Sequence, residues 1–467
     1  MLCGMHIAIA QRNSTQAWQR WFIAGLCLLF LGLSVQYCVK AMGTGERSNR
    51  SAFLRWRDQL QHLDSEDIYQ LYNFPYPPIM AMLLEPLMRL PPLAGSLCWF
   101  FMKLAMTLLA LGWIFRLVES PERPFPPWAK AVTVLLSLRP ITGDLSHGNV
   151  NLYILLLVAG GLFAFHQRKD WLAGALLALG VSCKVTPALF VPYFLWKRAW
   201  KTLAGCAIGL LLFLILIPGW RLGFDRNITL LQHWTGNMVA PFLVQGSVTS
   251  DHLNQSLPGL VYRLATHSPS GHDPLGLNPE YHNILSLEPR LAGWLVKACM
   301  LGFAALVMWS CRTPIQSRKG WRLAAEFSLI AVGMLLFSER TWKHHCVTLM
   351  LPFAVLSYYL ATCRPGPILR AYLLASLVVA SGMMLLTSTP GLRGLDEVAK
   401  KAEIYGAYVW AYLVLAAALV TLLRTAERPE PEGFPKTGAM HHAATRKVLA
   451  LQEAAIADPS ALPGLDD

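Results

Sequence analysis

WLAGALLALGVSCKVTPALFVPYFLW, running from Trp171 to Trp196, reads either as one membrane-spanning helix of ordinary length or as two short ones broken around Lys184 and Pro187. Charge decides between them. The run is preceded by His166-Gln167-Arg168-Lys169 and followed by Lys197-Arg198-Ala199-Trp200-Lys201. Lys and Arg concentrate in the short connectors on the cytoplasmic side of a membrane, so two basic flanks put both ends on that side and require a hairpin. Lys184 then stands at the apex, near the outer face. A lone lysine in an apolar run is costly unless it snorkels or meets an anion. Phosphate is one such anion, and snorkelling is the plainer account.

The rest of the chain fits a polytopic, all-α membrane protein. Of its 467 residues 54% are hydrophobic and 14% charged, against roughly 25% charged in soluble domains. Apolar runs near 21–37, 93–117, 128–142, 149–165, 171–184, 185–196, 202–219, 291–311, 321–338, 345–362, 369–387 and 406–424 give about twelve candidate transmembrane helices. The connectors Arg312 to Arg322, Arg364 to Arg370 and Arg424 to Arg428 fall on the same side as those flanking the hairpin. Both termini are then cytoplasmic. Arg12 and Arg20 ahead of Trp21 to Tyr37 resemble a signal sequence without small residues for cleavage, which implies a retained anchor.

A net charge of +13 does not point to nucleic acid, because the basic residues sit in connectors where anionic headgroups account for them. Membrane lipids are the partners it implies. The ten cysteines are scattered, several inside apolar spans, with no CxxC pair, and are read as packing. The organisation expected is a cytoplasmic N-tail over 1–20, a transmembrane domain over 21–425, and a largely disordered cytoplasmic tail over 426–467 that opens Glu427-Arg-Pro-Glu-Pro-Glu.

Two long outer loops remain, 38–92 and 220–290, rich in Tyr, Trp and Pro, and loops of that size usually carry function. Polar strings gather on this outer side: Glu46 to Arg57, Tyr76-Pro77-Pro78, Asp144 to Asn151, Asp251 to Ser256, and Glu339 to His345. Within the first, Arg47, Arg50, Arg55 and Arg57 put positive charge where it is normally sparse, as an anionic headgroup would reward and an interfacial amphipathic helix would also explain. Gly148 permits close backbone approach beside Asn149. His344 and His345 are ionisable at a helix end.

Tyr76-Pro77-Pro78 ahead of an apolar helix, Gly148-Asn149-Val150-Asn151-Leu152 opening a span, Lys184-Val185-Thr186-Pro187-Ala188-Leu189, Asn254-Gln255-Ser256-Leu257-Pro258-Gly259, and Trp342-Lys343-His344-His345 ahead of Pro352 together resemble the family-87 glycosyltransferases. This is a GT-C-type group that includes polyprenyl-phosphate-mannose-dependent alpha-mannosyltransferases. The resemblance covers about residues 45–360. It implies a GT-C-type fold and an inverting hexosyltransferase that moves a sugar, typically mannose, from a polyprenyl-phosphate donor to an extracytoplasmic glycolipid or glycan acceptor. The setting is a bacterial inner membrane with the site facing the periplasm. Family members usually carry an Asp some 25–40 residues ahead of the Tyr-Pro-Pro string; this sequence reads Gly45-Glu46-Arg47-Ser48-Asn49 there. Glu46 is the nearest carboxylate, with Asp58, Asp64, Glu66 and Asp67 as alternatives.

Direct displacement with inversion needs one carboxylate against the acceptor hydroxyl and positive charge against the leaving phosphate. The roles expected are Glu46 as base; Arg340, Lys343 and Lys184 as phosphate electrostatics, with Arg50 and Tyr76 lining the site; His344 and His345 as sugar or phosphate ligands; and Asn149, Asn254 and Gln255 as hydroxyl-reading amides. No metal ligand set such as DxD is present, and no cofactor is required. The rival class is a secondary transporter or lipid flippase, which a broken helix at Lys184 would also suit.

Overall fold

Proline sets many of the helix starts. Pro78, Pro92, Pro127, Pro289 and Pro367 each stand in the first turn of a helix, where the backbone N–H would have no partner in any case. The computed structural model describes residues 2–42, 51–244, 246–272, 276–388 and 395–425, with side chains from 17 onward. The chain divides into one compact unit from Met1 to Arg424 and a second from Thr425 to Asp467. The second lies almost wholly outside the described residues, as does the tail expected over 426–467. The first is helical, its only sheet among the described residues being the short antiparallel pair Gly271–His272 and Pro279–Glu280.

Each apolar run read from the sequence is largely helical, though fewer than twelve of these helices are of spanning length. Among the described residues seven helices are long and apolar enough to cross a bilayer: Ala17–Met42, Pro92–Val118, Trp200–Leu222, Pro289–Ser310, Lys343–Thr362, Pro367–Leu386 and Ala407–Thr425. Asn151–His166, Asp170–Cys183 and Trp321–Leu336 are shorter, with 16, 14 and 16 residues, or about 21–24 Å at 1.5 Å per residue. Because lipid tails are as apolar as leucine, helices in a bilayer associate through close packing and polar contacts. Asp170–Cys183 lies against Trp200–Leu210 in this way: a Cβ on Gly174 would stand 2.1 Å from the Thr202 carbonyl oxygen, and one on Gly205 2.5 Å from that of Trp171.

The break at Lys184 is present. The helix Asp170–Cys183 stops where Lys184 turns extended (φ −159°, ψ 126°), a 3-10 turn Thr186–Leu189 follows, and a short helix Phe190–Trp196 leads back. Phe194, near the far end of the run, packs on Phe165, which precedes its start, with ring centroids 5.0 Å apart. The two ends of the run are therefore at one level, as the basic flanks require.

Other basic connectors collect at that level. The Arg318 guanidinium stacks on Phe165 at 4.1 Å and pairs with Asp170. Lys197 donates to the carbonyls of Cys311 and Thr313 at 2.9 and 2.8 Å and pairs with the fully buried Glu326 at 2.7 Å. Arg322 reaches the Leu423 carbonyl at 2.8 Å, Arg424 covers Trp309 at 4.3 Å, and Trp321 meets Tyr359 at 4.8 Å. From this basic end the helices Asp170–Cys183, Trp321–Leu336, Asn151–His166 and Lys343–Thr362 all run to the end that carries the polar strings.

The two long loops clasp each other beyond the polar end. Arg221 grips Asp64 through two bonds of 2.9 and 3.1 Å, and Arg226 donates to the carbonyls of Leu63 and Glu66 at 2.9 and 2.7 Å. His233 meets Asp67, and Asn237 donates to the Tyr69 carbonyl at 3.1 Å. The Arg221 guanidinium holds the Asp64 carboxyl below the usual carboxylate range. Burial pushes Asp67 up, but hydrogen bonds from His233 and from the amides of Gln70 and Tyr69 outweigh it and leave this carboxyl lowered as well. Groups lowered on folding add stability above the unfolded value near ~3.9 and lose it as pH falls through the folded one. The contribution of the Asp64–Arg221 pair to thermal unfolding of the purified protein is therefore expected to be constant from pH 7 to 5. Below about pH 4 it should weaken, and Asp64→Asn should flatten that acid fall. An equally steep fall in Asp64→Asn would place the acid-labile contact elsewhere.

Candidate active site

The site is organised by the end of the helix Pro127–His147. Gly148 closes that helix in the left-handed conformation (φ 67°), its N–H returning to the carbonyls of Asp144 and Leu145, and its own carbonyl accepts from Trp99 Nε1 at 3.0 Å. A Cβ here would lie 2.5 Å from the Tyr37 hydroxyl and 3.2 Å from Phe53 Cβ. Both the backbone conformation and the close approach call for glycine. Tyr37, at the end of the first long helix, also contacts Ser51 Oγ at 3.5 Å. The chain thus leaves and re-enters the described structure on either side of 43–50 beside Gly148. Glu46 and Arg50, and the first half of the string Glu46 to Arg57, lie outside the described residues.

Three polar strings join next to this turn. The Tyr76 hydroxyl donates to Asn149 Oδ1 at 2.8 Å, and Asn149 Nδ2 lies 3.0 Å from His344 Nε2. The Val150 amide also donates to Asn149 Oδ1, at 2.7 Å. Two donors on that oxygen identify it as the acceptor end of the amide, so Nδ2 donates to His344 Nε2 and a neutral His344 carries its proton on Nδ1. Tyr76 is itself held, its carbonyl accepting from the Tyr69 hydroxyl at 2.8 Å and its ring set edge-on to Trp56 at 5.2 Å. The rings of His147 and His345 flank His344 at 4.7 and 4.8 Å.

A second chain of contacts runs beneath. Lys103 and Asp144 are fully buried and paired, Lys103 Nζ lying 3.3 Å from Asp144 Oδ2 and 2.7 Å from the Asp144 carbonyl. Asp144 Oδ1 accepts from the Asn151 amide nitrogen at 3.3 Å and from Asn151 Nδ2 at 2.9 Å. Asn151 Oδ1 in turn accepts from Lys184 Nζ at 2.6 Å. Lys184 and His345 line a small cleft together with the polar Asn151, Thr341 and Thr348 and the apolar Ile154, Met334, Leu335 and Val347. Two lysines share one carboxylate, so this network carries a net positive charge, and it is Lys184, at the cleft, that has no ionic partner among the described residues.

Other expected residues are committed elsewhere. Asn254 and Gln255 were expected to read hydroxyls, but both are buried and spent on the backbone. Asn254 Nδ2 donates to the carbonyls of Thr249 and Glu339 at 2.7 and 2.9 Å, while its Oδ1 accepts from the amides of Thr341 and Ser256 at 2.9 and 3.2 Å. Gln255 Nε2 donates to the carbonyls of His252 and Glu403 at 2.5 and 2.8 Å, and Oε1 accepts from the Tyr408 amide at 3.3 Å. No amide donor is left for a sugar, and these side chains instead latch the second loop to 339–341 and to the helix Asp396–Ile404. Lys343 is likewise occupied, pairing with Glu403 and donating to the Thr387 carbonyl at 2.5 Å, so its charge is offset. Arg340 is exposed and touches Thr249 Oγ1 at 2.8 Å.

Sequence reading missed Lys103, Arg139 and Glu403. Lys103 had a visible signal: it is the one charge in an apolar run until Arg116, as Lys184 is in its own. Arg139 sits mid-helix with Nε on Ser388 Oγ at 2.9 Å and its guanidinium beside Gly143 and His344. Among the described residues no three His, Cys, Asp or Glu side chains come together as metal ligands.

Comparison with known proteins fits this arrangement. The sequence profile of glycosyltransferase family 87 matches residues 74–338, a stretch holding Tyr76, Asn149, Lys184 and Asn254. The chain is 26% identical over 380 residues to a polyprenol-phosphate-mannose-dependent alpha-(1-2)-phosphatidylinositol mannoside mannosyltransferase of Mycobacterium tuberculosis, covering 77% of this chain and 80% of that protein. It is 27% identical over 375 residues to the protein of the same description from Mycolicibacterium smegmatis, covering 75% and 77%. A polyprenol-phosphate-mannose-dependent alpha-(1-2)-phosphatidylinositol pentamannoside mannosyltransferase of the latter organism is 24% identical over 279 residues, covering 59% of each chain. With a match over more than half its length, set on an all-α membrane framework, this chain belongs to glycosyltransferase family 87.

Proposed function

We propose that this membrane glycosyltransferase transfers mannose from a polyprenyl phosphate to a glycolipid acceptor at the periplasmic face of a bacterial inner membrane, with inversion at the anomeric carbon. The observation that carries the reading is the cleft at Lys184. Its lining combines an ammonium and an imidazole with the aliphatic side chains of Ile154, Leu335 and Val347, a mixture that suits a phosphate carried on a prenyl chain. The names of the mycobacterial relatives support the same donor and an acceptor built on phosphatidylinositol mannoside. The orientation rests on the basic end of the bundle, which the positive-inside rule puts in the cytoplasm together with both termini; the polar end then faces out.

In this mechanism the bond from the sugar's anomeric carbon to the phosphate oxygen breaks as the bond to the acceptor oxygen forms. The acceptor's proton passes to a carboxylate, for which Glu46 is the candidate. The leaving phosphate gains one negative charge on going from diester to monoester, and Lys184 is where that charge is met. His345 borders the phosphate, and His344, held by Asn149 and Tyr76, borders the sugar. Arg340, exposed and beside Glu339, is assigned to the donor phosphate as a further cation, and Arg50 to the lipid headgroup. Lys343, Asn254 and Gln255 shape the second loop and do not touch substrate.

Purified protein in proteoliposomes, given radiolabelled polyprenyl-phosphate-mannose and a phosphatidylinositol mannoside, is expected to label the glycolipid. GDP-mannose should not replace the lipid donor. Equal use of the nucleotide sugar would overturn the reading, since nothing in the cleft addresses a nucleotide.

A further inference from the structure

We infer that Asp144 and Lys103 are positioning residues: a neutral buried pair whose task is to fix the amide of Asn151 so that its oxygen, and not its nitrogen, faces Lys184. The inference rests on the assignment of Lys184 to the donor phosphate. An asparagine amide can present either end to a neighbour, and only the oxygen accepts. An ionised Asp144 accepts only, and Oδ1 takes both the backbone N–H and the Nδ2 group of Asn151. That anchors the nitrogen end and turns Oδ1 onto the Lys184 ammonium. With the acceptor removed, the amide is free to rotate its NH2 toward Lys184, where two donors would oppose each other and displace the ammonium from the cleft.

Lys103 completes the device. Asp144 has no contact with solvent, and an unpaired carboxylate buried to that depth is strongly disfavoured. Lys103 Nζ compensates it by bonding Oδ2 and the Asp144 carbonyl, while the direct partner of Lys184 is the uncharged amide of Asn151. Buried ion pairs are rarely better for stability than apolar residues of the same volume; a pair set against an amide that touches the cleft has a use of another kind. The arrangement supplies the ammonium with a neutral partner, and so keeps its charge available while fixing its place.

The test compares two double variants that differ in one acceptor oxygen. Lys103→Met with Asp144→Asn removes both charges and keeps an oxygen for Asn151; Lys103→Met with Asp144→Leu removes both charges and the oxygen. The readout is competitive inhibition by farnesyl phosphate, a short prenyl phosphate, with farnesol as the phosphate-free control and thermal unfolding as the check on folding. The Asn-containing pair is expected to bind farnesyl phosphate within about twofold of the parent, and the Leu-containing pair about tenfold more weakly, a loss of ~1.4 kcal/mol, with farnesol unchanged in both. Asn151→Leu should match the Leu-containing pair. Equal binding by the two pairs, weak or strong, overturns the inference, as does a loss shared by farnesol. If neither pair folds, Asn151→Leu decides alone, and unchanged inhibition by farnesyl phosphate overturns it. Lys184→Gln separates the two levels. Unchanged inhibition there sinks the phosphate assignment itself, whereas a loss there with no loss in Asn151→Leu sinks the positioning role alone.

Discussion

Lys184→Gln is expected to lower mannosyl transfer by about 10²–10³, the range for removing one preorganised electrostatic group from a reaction centre, or ~2.7–4 kcal/mol of barrier. The effect is large because the charge on the leaving phosphate grows during the reaction while Lys184 faces the cleft with only the neutral amide of Asn151 on its other side. Gln is the informative replacement, since its amide can still donate to Asn151 Oδ1 and spare the fold. Lys184→Arg, which keeps the charge on a longer fork, should retain part of the rate. The measurement is turnover of polyprenyl-phosphate-mannose by purified protein at saturating acceptor. A Gln variant within about threefold of the parent, well short of the range for losing such a group, would move the phosphate away from this cleft and toward Arg340, which is exposed and lies beside Glu339 at 3.5 Å.

Glu46→Gln is expected to cost at least ~10² in turnover with binding of both substrates preserved, because a general base acts on the acceptor proton only as the new bond forms. Of the alternative carboxylates, Asp64, Glu66 and Asp67 are engaged with other groups. Asp64 is held by Arg221, and Glu66 accepts from the Tyr72 hydroxyl at 2.9 Å and faces His62. Asp67 caps a helix and meets His233, while Asp144 is sealed against Lys103. Full turnover by Glu46→Gln, with loss in Asp67→Asn, would transfer the role to the Asp67–His233 pair. A variant lacking both the rate and the folded state would say nothing about chemistry, so thermal unfolding accompanies each assay.

Hydropathy and charge are local quantities that act against a bilayer whatever the rest of the chain does. They were sufficient to find the apolar helices, to break the Trp171–Trp196 run at Lys184, and to send the basic connectors to one end and the polar strings to the other. Glycine at 148 was legible too, as a place for close approach, although the Tyr37 and Phe53 atoms that demand it come from a different part of the chain. Which donor meets which acceptor was not legible. Asn254 and Gln255 look like sugar-reading amides in a string and prove to be latches, because carbonyls at Thr249, Glu339, His252 and Glu403 reach them first. Lys343 and Lys184 look alike as lysines near a polar end, yet one is neutralised by Glu403 and the other rests on an uncharged amide.

The sequence by itself determined the solvent of this protein, the helices that this solvent imposes and the side on which polar residues gather, since each follows from a few neighbouring residues and the cost of leaving polar groups in hydrocarbon. Only the tertiary structure decided which charges remain available for chemistry. Lys103, Asp144 and Asn151 come from three helices and Lys184 from the break that follows a fourth, and Lys103 and Lys184 join the other two through contacts a few ångströms long that the order of residues along the chain does not show.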